Sequence, residues 1–318
     1  MITRTFLLVV LAFIPALTAS ADSAQELLAA GRVDEAVAEL NGHLASAPSD
    51  AESSNLLCRA YYELEDWEHA EFSCKKAASL DPDNSRFHLW LGRVYGEKAD
   101  RANALAAGIL AEKARGEFEH AVQLNPNDVD ARLDLAEFYV LAPRILGGGE
   151  QKAREQAQSI GTLNPGREHW VYARIAEQKK DAVTAEREYR QYIDLSKGTA
   201  EAWLNLAYFL RRQLRIEEME QALVKLSQAP MPRLDALFDA SEILYRTGRS
   251  FPFATELLRR YLAAGPVEAA PAFKARYLLG QLLEKQGDKA GAAQEYRASL
   301  SLARNFAMAQ QALNRVAP

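Results

Sequence analysis

Small and bulky apolar residues alternate along this chain on a repeating beat. In residues 51–84, Leu57, Cys58 and Tyr61 fall on one stripe, Ala70, Cys74 and Ala77 on a second, and Pro82 closes the unit. Spacings of three and four put each set on one helix face, which predicts two amphipathic helices folded against each other. The same positions read Leu91, Gly92, Tyr95, Ala114, Phe118, Ala121 and Pro126 in residues 85–128. In 129–165 they read Leu135, Ala136, Tyr139, Ala153, Ala157, Ile160 and Pro165. Residues 166–199 keep Ala173, Ala185 and Tyr189 but end on Gly198, which permits a left-handed helix exit. Further units span 200–233, 234–266 and 273–306, with Leu206, Ala207 and Leu223, then Leu244, Ala254 and Tyr261, then Leu279, Gly280 and Tyr296. A shortened first unit, 24–50, carries Gly31, Ala36, Leu40 and Pro48, and 305–316 predicts a capping helix with Gln310, Gln311, Asn314 and Arg315 on its wet face.

Units of 34 residues, with small residues where two helices touch and a proline at the exit, resemble the tetratricopeptide repeat family. The resemblance implies an all-α fold: a right-handed α-solenoid of about eight hairpins over residues 22–318 with a C-terminal capping helix. It also implies binding of a peptide or protein partner in a concave groove lined by the first helix of each hairpin. It implies no chemistry, because the family is defined by its hairpin.

Positions two, five, nine, twelve and thirteen of each unit are those the resemblance places on the groove. They select Asn55, Arg59, Leu89, Arg93, Leu133, Trp170, Arg174, Tyr208, Arg211, Arg212, Tyr245 and Arg246 as partner-binding candidates. Arginine beside Trp170, Leu133 and Leu89 combines directional donors with an apolar floor. The same arginines are equally suited to pairing with Glu63, Glu97 and Glu137, and the aromatics to packing between repeats. The lysine and asparagine set with which the family grips a terminal carboxylate has only Asn55, Asn205 and Lys274 as counterparts, so that mode is not expected.

Two units exceed the repeat length. Tyr95 and Ala114 are 19 residues apart where Tyr61 and Ala70 are nine apart. The added segment, 98–115, is alanine-rich and free of proline, with Ala102, Leu105, Ile109 and Leu110 as its apolar positions, so it predicts longer helices rather than a loop. The resulting ridge suits packing on the next repeat better than docking. The second insertion, 140–149, reads VLAPRILGGG. Pro143 ends a helix and Gly147, Gly148 and Gly149 lead into another. Lys152 is followed by Ala153, not by a hydroxyl residue, and no strand precedes, so the turn is a structural loop and not a phosphate-binding one.

Composition narrows the function further. The net charge is -5, from 38 basic and 43 acidic residues in mixture, which disfavours nucleic acid. Residues 1–21 read as a secretory signal: Arg4, an apolar core from Phe6 to Ile14, Pro15, and Ala19-Ser20-Ala21 before the cut. The core is too short to span a bilayer, so the mature chain is expected to be exported, periplasmic and without an integral membrane span. Export permits a disulfide between Cys58 and Cys74, but with Cys58 facing Ala70, Cys74 lies about 5 Å further along the axis, which favours two free, core-facing thiols.

His43, His69, His88, His120 and His169 show no paired ligand spacing, and a set built from His69, Cys58 and Cys74 would need His69 turned inward. No serine sits in a nucleophile elbow. No metal, cofactor or enzymatic activity is expected. The leading expectation is a non-catalytic exported scaffold of the cell envelope. Self-association, through the 98–115 ridge or end-to-end stacking, is the alternative. A hydrolase or ligand-binding protein would need a closed pocket holding perturbed carboxylates.

Overall fold

The computed structural model describes residues 16–316. Its helices pair as α1 (Ala16–Ala29) with α2 (Val33–Ser46), α3 (Ala51–Glu63) with α4 (Trp67–Leu80), and α5 (Ser85–Arg101) with α6 (Ala104–Leu124). They continue as α7 (Val129–Leu141) with α8 (Glu150–Gly161), α9 (Pro165–Gln178) with α10 (Ala182–Leu195), and α11 (Ala200–Arg212) with α12 (Ile216–Gln228). The last pairs are α13 (Asp235–Thr247) with α14 (Phe251–Ala264) and α15 (Ala272–Lys285) with α16 (Lys289–Leu302), followed by α17 (Ala307–Val316). Among the described residues there is no strand. The expected signal segment lies largely outside the described residues, and α1 runs across the expected cut after Ala21.

Each hairpin is held by a small residue receiving a bulky one. A methyl group on Gly92 would stand 2.6 Å from the Phe118 ring, and one on Gly280 would stand 2.5 Å from Tyr296. Asp side chains cap the helix starts: Asp50, Asp66, Asp128, Asp181 and Asp288 each accept the backbone N–H three residues on. First helices of successive hairpins touch one another, as α3 with α5, α7 with α9 and α11 with α13, while successive second helices do not come into comparable contact. The first helices therefore form the inner layer of the solenoid and the second helices the outer.

The added residues of the third unit are helical. α5 has 17 residues and α6 has 21, against 13 and 14 in α3 and α4. In the fourth unit α7 stops at Leu141, and a short 3-10 helix, Arg144–Leu146, precedes the glycines. The two insertions meet each other: Gly108 of α6 faces Leu146, and Gly147, at φ 88°, lies against the Arg115 side chain.

The thiol expectation is corrected. Cys58 and Cys74 are bonded, with Cα atoms 5.1 Å apart and both side chains fully buried. The α3–α4 turn centres on Glu65, seven residues after Cys58 and nine before Cys74. The axial offset is thus about 3 Å, not 5 Å, which a disulfide spans. His69 is exposed, bonded to Asp66 and stacked on Tyr61, so the His69–Cys58–Cys74 set does not form. Replacing both cysteines by alanine should lower the unfolding free energy by about 3 kcal/mol, the value for a closed loop of this size. Denaturant titration of the variant beside reduced and oxidised protein checks it.

The ends of the solenoid meet. Phe273 of α15 and Phe306 share one buried cluster with Leu28 of α1, Leu40 of α2 and Leu56 of α3. Phe273 and Phe306 pack edge to face at 5.1 Å. Gly31, at φ 71° in the α1–α2 turn, lies so close to the backbone of Ala272 that no side chain fits between them. Polar bonds frame the seam: Arg59 holds Glu268 through both Nε (2.6 Å) and Nη2, Lys274 holds Glu63 at 2.9 Å, and the Arg304 backbone N–H donates to Asp34 at 2.8 Å. A solenoid with two free, capped ends is therefore replaced by a closed one, in which the first two hairpins cover the last.

Candidate partner-binding groove

On each inner helix, residues four, seven and eleven beyond the second position of the unit return to the same side, because these steps approximate whole turns. The second, sixth, ninth and thirteenth positions therefore form ladders around the interior. On the first ladder, Arg167 bridges two neighbouring repeats, from Asp130 at 2.6 Å to Glu201 at 3.0 Å. On the next, Arg93 bonds Asp134 at 2.6 Å, and the Trp170 indole donates to Asn205 at 2.8 Å. Arg174 reaches Glu137 at 2.5 Å and Glu177 at 3.1 Å, and Glu177 in turn takes Arg212 at 2.7 Å.

These bonds change the reading of the candidate residues. Asn55 is fully buried, with neither amide atom partnered, and Leu89 is buried in the core, so neither faces a groove. Arg59 is buried in the seam against Glu268. Arg93, Arg174 and Arg212 are committed to carboxylates of adjacent repeats, and Arg246 to Glu242 on its own helix. Burial works against the Arg174 charge, but Glu137 and Glu177 more than reverse it and raise its pKa above the ordinary arginine range. Tyr245 accepts from Gln281, and Arg211 lies over the Tyr208 ring, 5.6 Å from its centre. Pairing wins over display because an unpaired guanidinium would lose hydration in the narrowed interior, where a neighbouring carboxylate is within reach.

Leu133 and Trp170 remain partly open, and they line a cavity of about 490 Å³ together with Asp130, Arg167, Glu201 and Asn205. Its walls thus combine apolar surface with bridged charges whose free edges offer both donors and acceptors. Asp239, on α13, stands at the sixth position of its unit, equivalent to Asp134 and Asn205. Burial first, then the charges of Asp235 and Glu242, push its carboxyl up to about 7, against the weaker pull of Arg233. Asp239 lies outside the positions the resemblance selects, and Asn205 entered only as a counterpart of the carboxylate grip, because the resemblance points to the fifth position, whereas the two-six-nine spacing, visible in the sequence, puts the sixth on the same stripe. No helix among the described residues is long and apolar enough to cross a membrane.

Residues 27–88 and 238–307 each match a family model described as tetratricopeptide repeat. Among solved structures, the chain is similar to a thermophilic tetratricopeptide repeat protein of Thermus thermophilus, at 18% identity and a TM-score of 0.50, over 61% of this chain and 98% of that one. It is also similar to yeast Tom70, at 15% identity and a TM-score of 0.53, over 89% of this chain and 58% of that one. These likenesses establish the fold: an all-α tetratricopeptide-type solenoid. No curated protein matches the sequence.

Proposed function

We propose that the chain is an exported, non-catalytic tetratricopeptide scaffold that holds an extended segment of a partner protein along its inner helices. The observation that carries this reading is the cavity at Leu133 and Trp170, whose apolar floor is flanked by the Asp130–Arg167–Glu201 bridge. Bridged charges keep their free lone pairs and N–H groups for a peptide backbone while remaining compensated, which suits recognition without a large desolvation cost. Export is supported by the leader composition and by the buried disulfide, which an oxidising compartment maintains. End-to-end stacking is not favoured, because the faces it would use are already covered in the seam.

Arg59, Arg93 and Arg174 each carry an inter-repeat or seam bond, so their joint removal would mix lost stability with lost binding. A photo-crosslinking residue placed at Leu133 should capture a partner in envelope extract, whereas the same residue at the exposed outer Phe72 should not. Trp170→Ala should weaken that captured partner about tenfold, as loss of an aromatic anchor does. Equal capture from both positions would overturn the groove reading.

A further inference from the structure

The two insertions build a second cavity. It measures about 480 Å³ and opens beside the groove, with Arg93 and Asp134 lining both. One wall is the extension of the third hairpin, with Ala99, Asp100 and Ala111; the other is the stretch from Leu141 to Leu146. Both walls come from residues that a repeat of ordinary length lacks. Phe118 and Phe138 form the floor.

The edge of the cavity includes exposed apolar surface. Leu141, which lines the cavity, is 53% exposed. Four carboxylates, Glu97, Asp100, Asp134 and Glu137, line the cavity beside a single basic residue, Arg93. Arg101 holds Glu97 and Arg174 holds Glu137, whereas Asp100 has no ion-pair partner among the described residues. Arg93 holds Asp134, whose carboxyl burial raises in spite of that pair, so the charge left open at the mouth is that of Asp100.

We propose that this side pocket receives one bulky apolar side chain of the partner segment lying in the groove, with an adjacent lysine or arginine of that segment seated on Asp100 at the mouth. The inference rests on the groove reading and names the chemistry of its partner. A volume near 480 Å³ is within the range of small ligand pockets and accepts a leucine, methionine or aromatic side chain with room for its flanks. An acidic partner is disfavoured by the mouth charge, and a wholly polar one by the floor.

Gly96 provides the means to test it. It lies on α5, lines the pocket, and a side chain added there meets nothing within 4 Å. Gly96→Trp therefore fills the cavity without moving backbone, and Gly96→Ala is its control. A random-peptide phage library is selected on the full protein, and the enriched peptides are synthesised and their affinities measured. The expected result is a shared bulky apolar residue next to lysine or arginine, with Gly96→Trp and Asp100→Lys each weakening binding about tenfold and Gly96→Ala leaving it unchanged. Peptides that depend on Trp170 but ignore Gly96→Trp would overturn the pocket and leave the groove reading standing. Peptides blocked by Gly96→Trp but carrying acidic flanks, or indifferent to Asp100→Lys, would overturn the assignment of a basic partner. No enrichment above bare support would overturn both.

Discussion

Phe273→Ala should lower the unfolding free energy by about 3–5 kcal/mol and open the solenoid. The side chain is fully buried, packed edge to face on Phe306, and surrounded by residues from both ends of the chain. Its removal leaves a cavity at a junction of separate hairpins, where partial collapse cannot be distributed along one helix. Phe209→Ala, which empties an equally buried site within the middle of the stack, serves as comparison. Both variants should lose stability in denaturant titration, but only Phe273→Ala should raise the radius of gyration in solution scattering under native conditions. Gly31→Val should give the same expansion by steric means, since Gly31 combines a positive φ with backbone contact to Ala272. If both seam variants stay compact, the end-to-end closure is wrong.

Asp239→Asn should stabilise the protein at pH 8 by up to about 4 kcal/mol and flatten its pH profile. The Asp239 carboxyl is held near 7 when folded, against an ordinary value of 3.8. Between those values the folded state binds a proton that the unfolded state has released. Stability from this group is therefore complete below pH 3.8, falls as pH rises toward about 7, and is lost above it. Asparagine keeps the shape and removes the charge that burial, Asp235 and Glu242 oppose. Thermal unfolding from pH 4 to pH 8 reads the effect as a difference between the two slopes. Parallel profiles would mean that Asp239 is solvated in the folded protein.

The hairpins were legible in the sequence. Gly92 with Phe118 and Gly280 with Tyr296 are contacts between neighbouring helices, and their small and bulky members recur at spacings that a helix alone explains. The helical character of the 98–115 insertion was legible for the same reason: alanine-rich, proline-free segments extend helices wherever they stand. The inner stripe was partly legible, since Arg93, Arg174 and Trp170 reach residues on the inner helices of neighbouring repeats. Whether its arginines were open or paired was not, because the choice depends on the 2.5–3.1 Å geometry that brings Glu137 and Glu177 to Arg174 from another repeat and the same helix. The disulfide register lay between these cases. It turns on an offset of two residues across the α3–α4 turn, which the packing of the hairpin sets.

What the sequence determined by itself is what adjacent segments decide between them: helix, turn, hairpin, and the repeat that stacks one hairpin on the next. What only the tertiary structure decided is where that stacking leads. Arg59 and Glu268 are 209 residues apart, and Asp34 and Arg304 are 270 apart. Their meeting depends on the accumulated rotation of every repeat between them, a sum of small angles that no local pattern encodes. The same holds for the side pocket, whose walls are two insertions in different repeats. Each was visible in the sequence as an excess of residues, but only their packing against each other encloses a space.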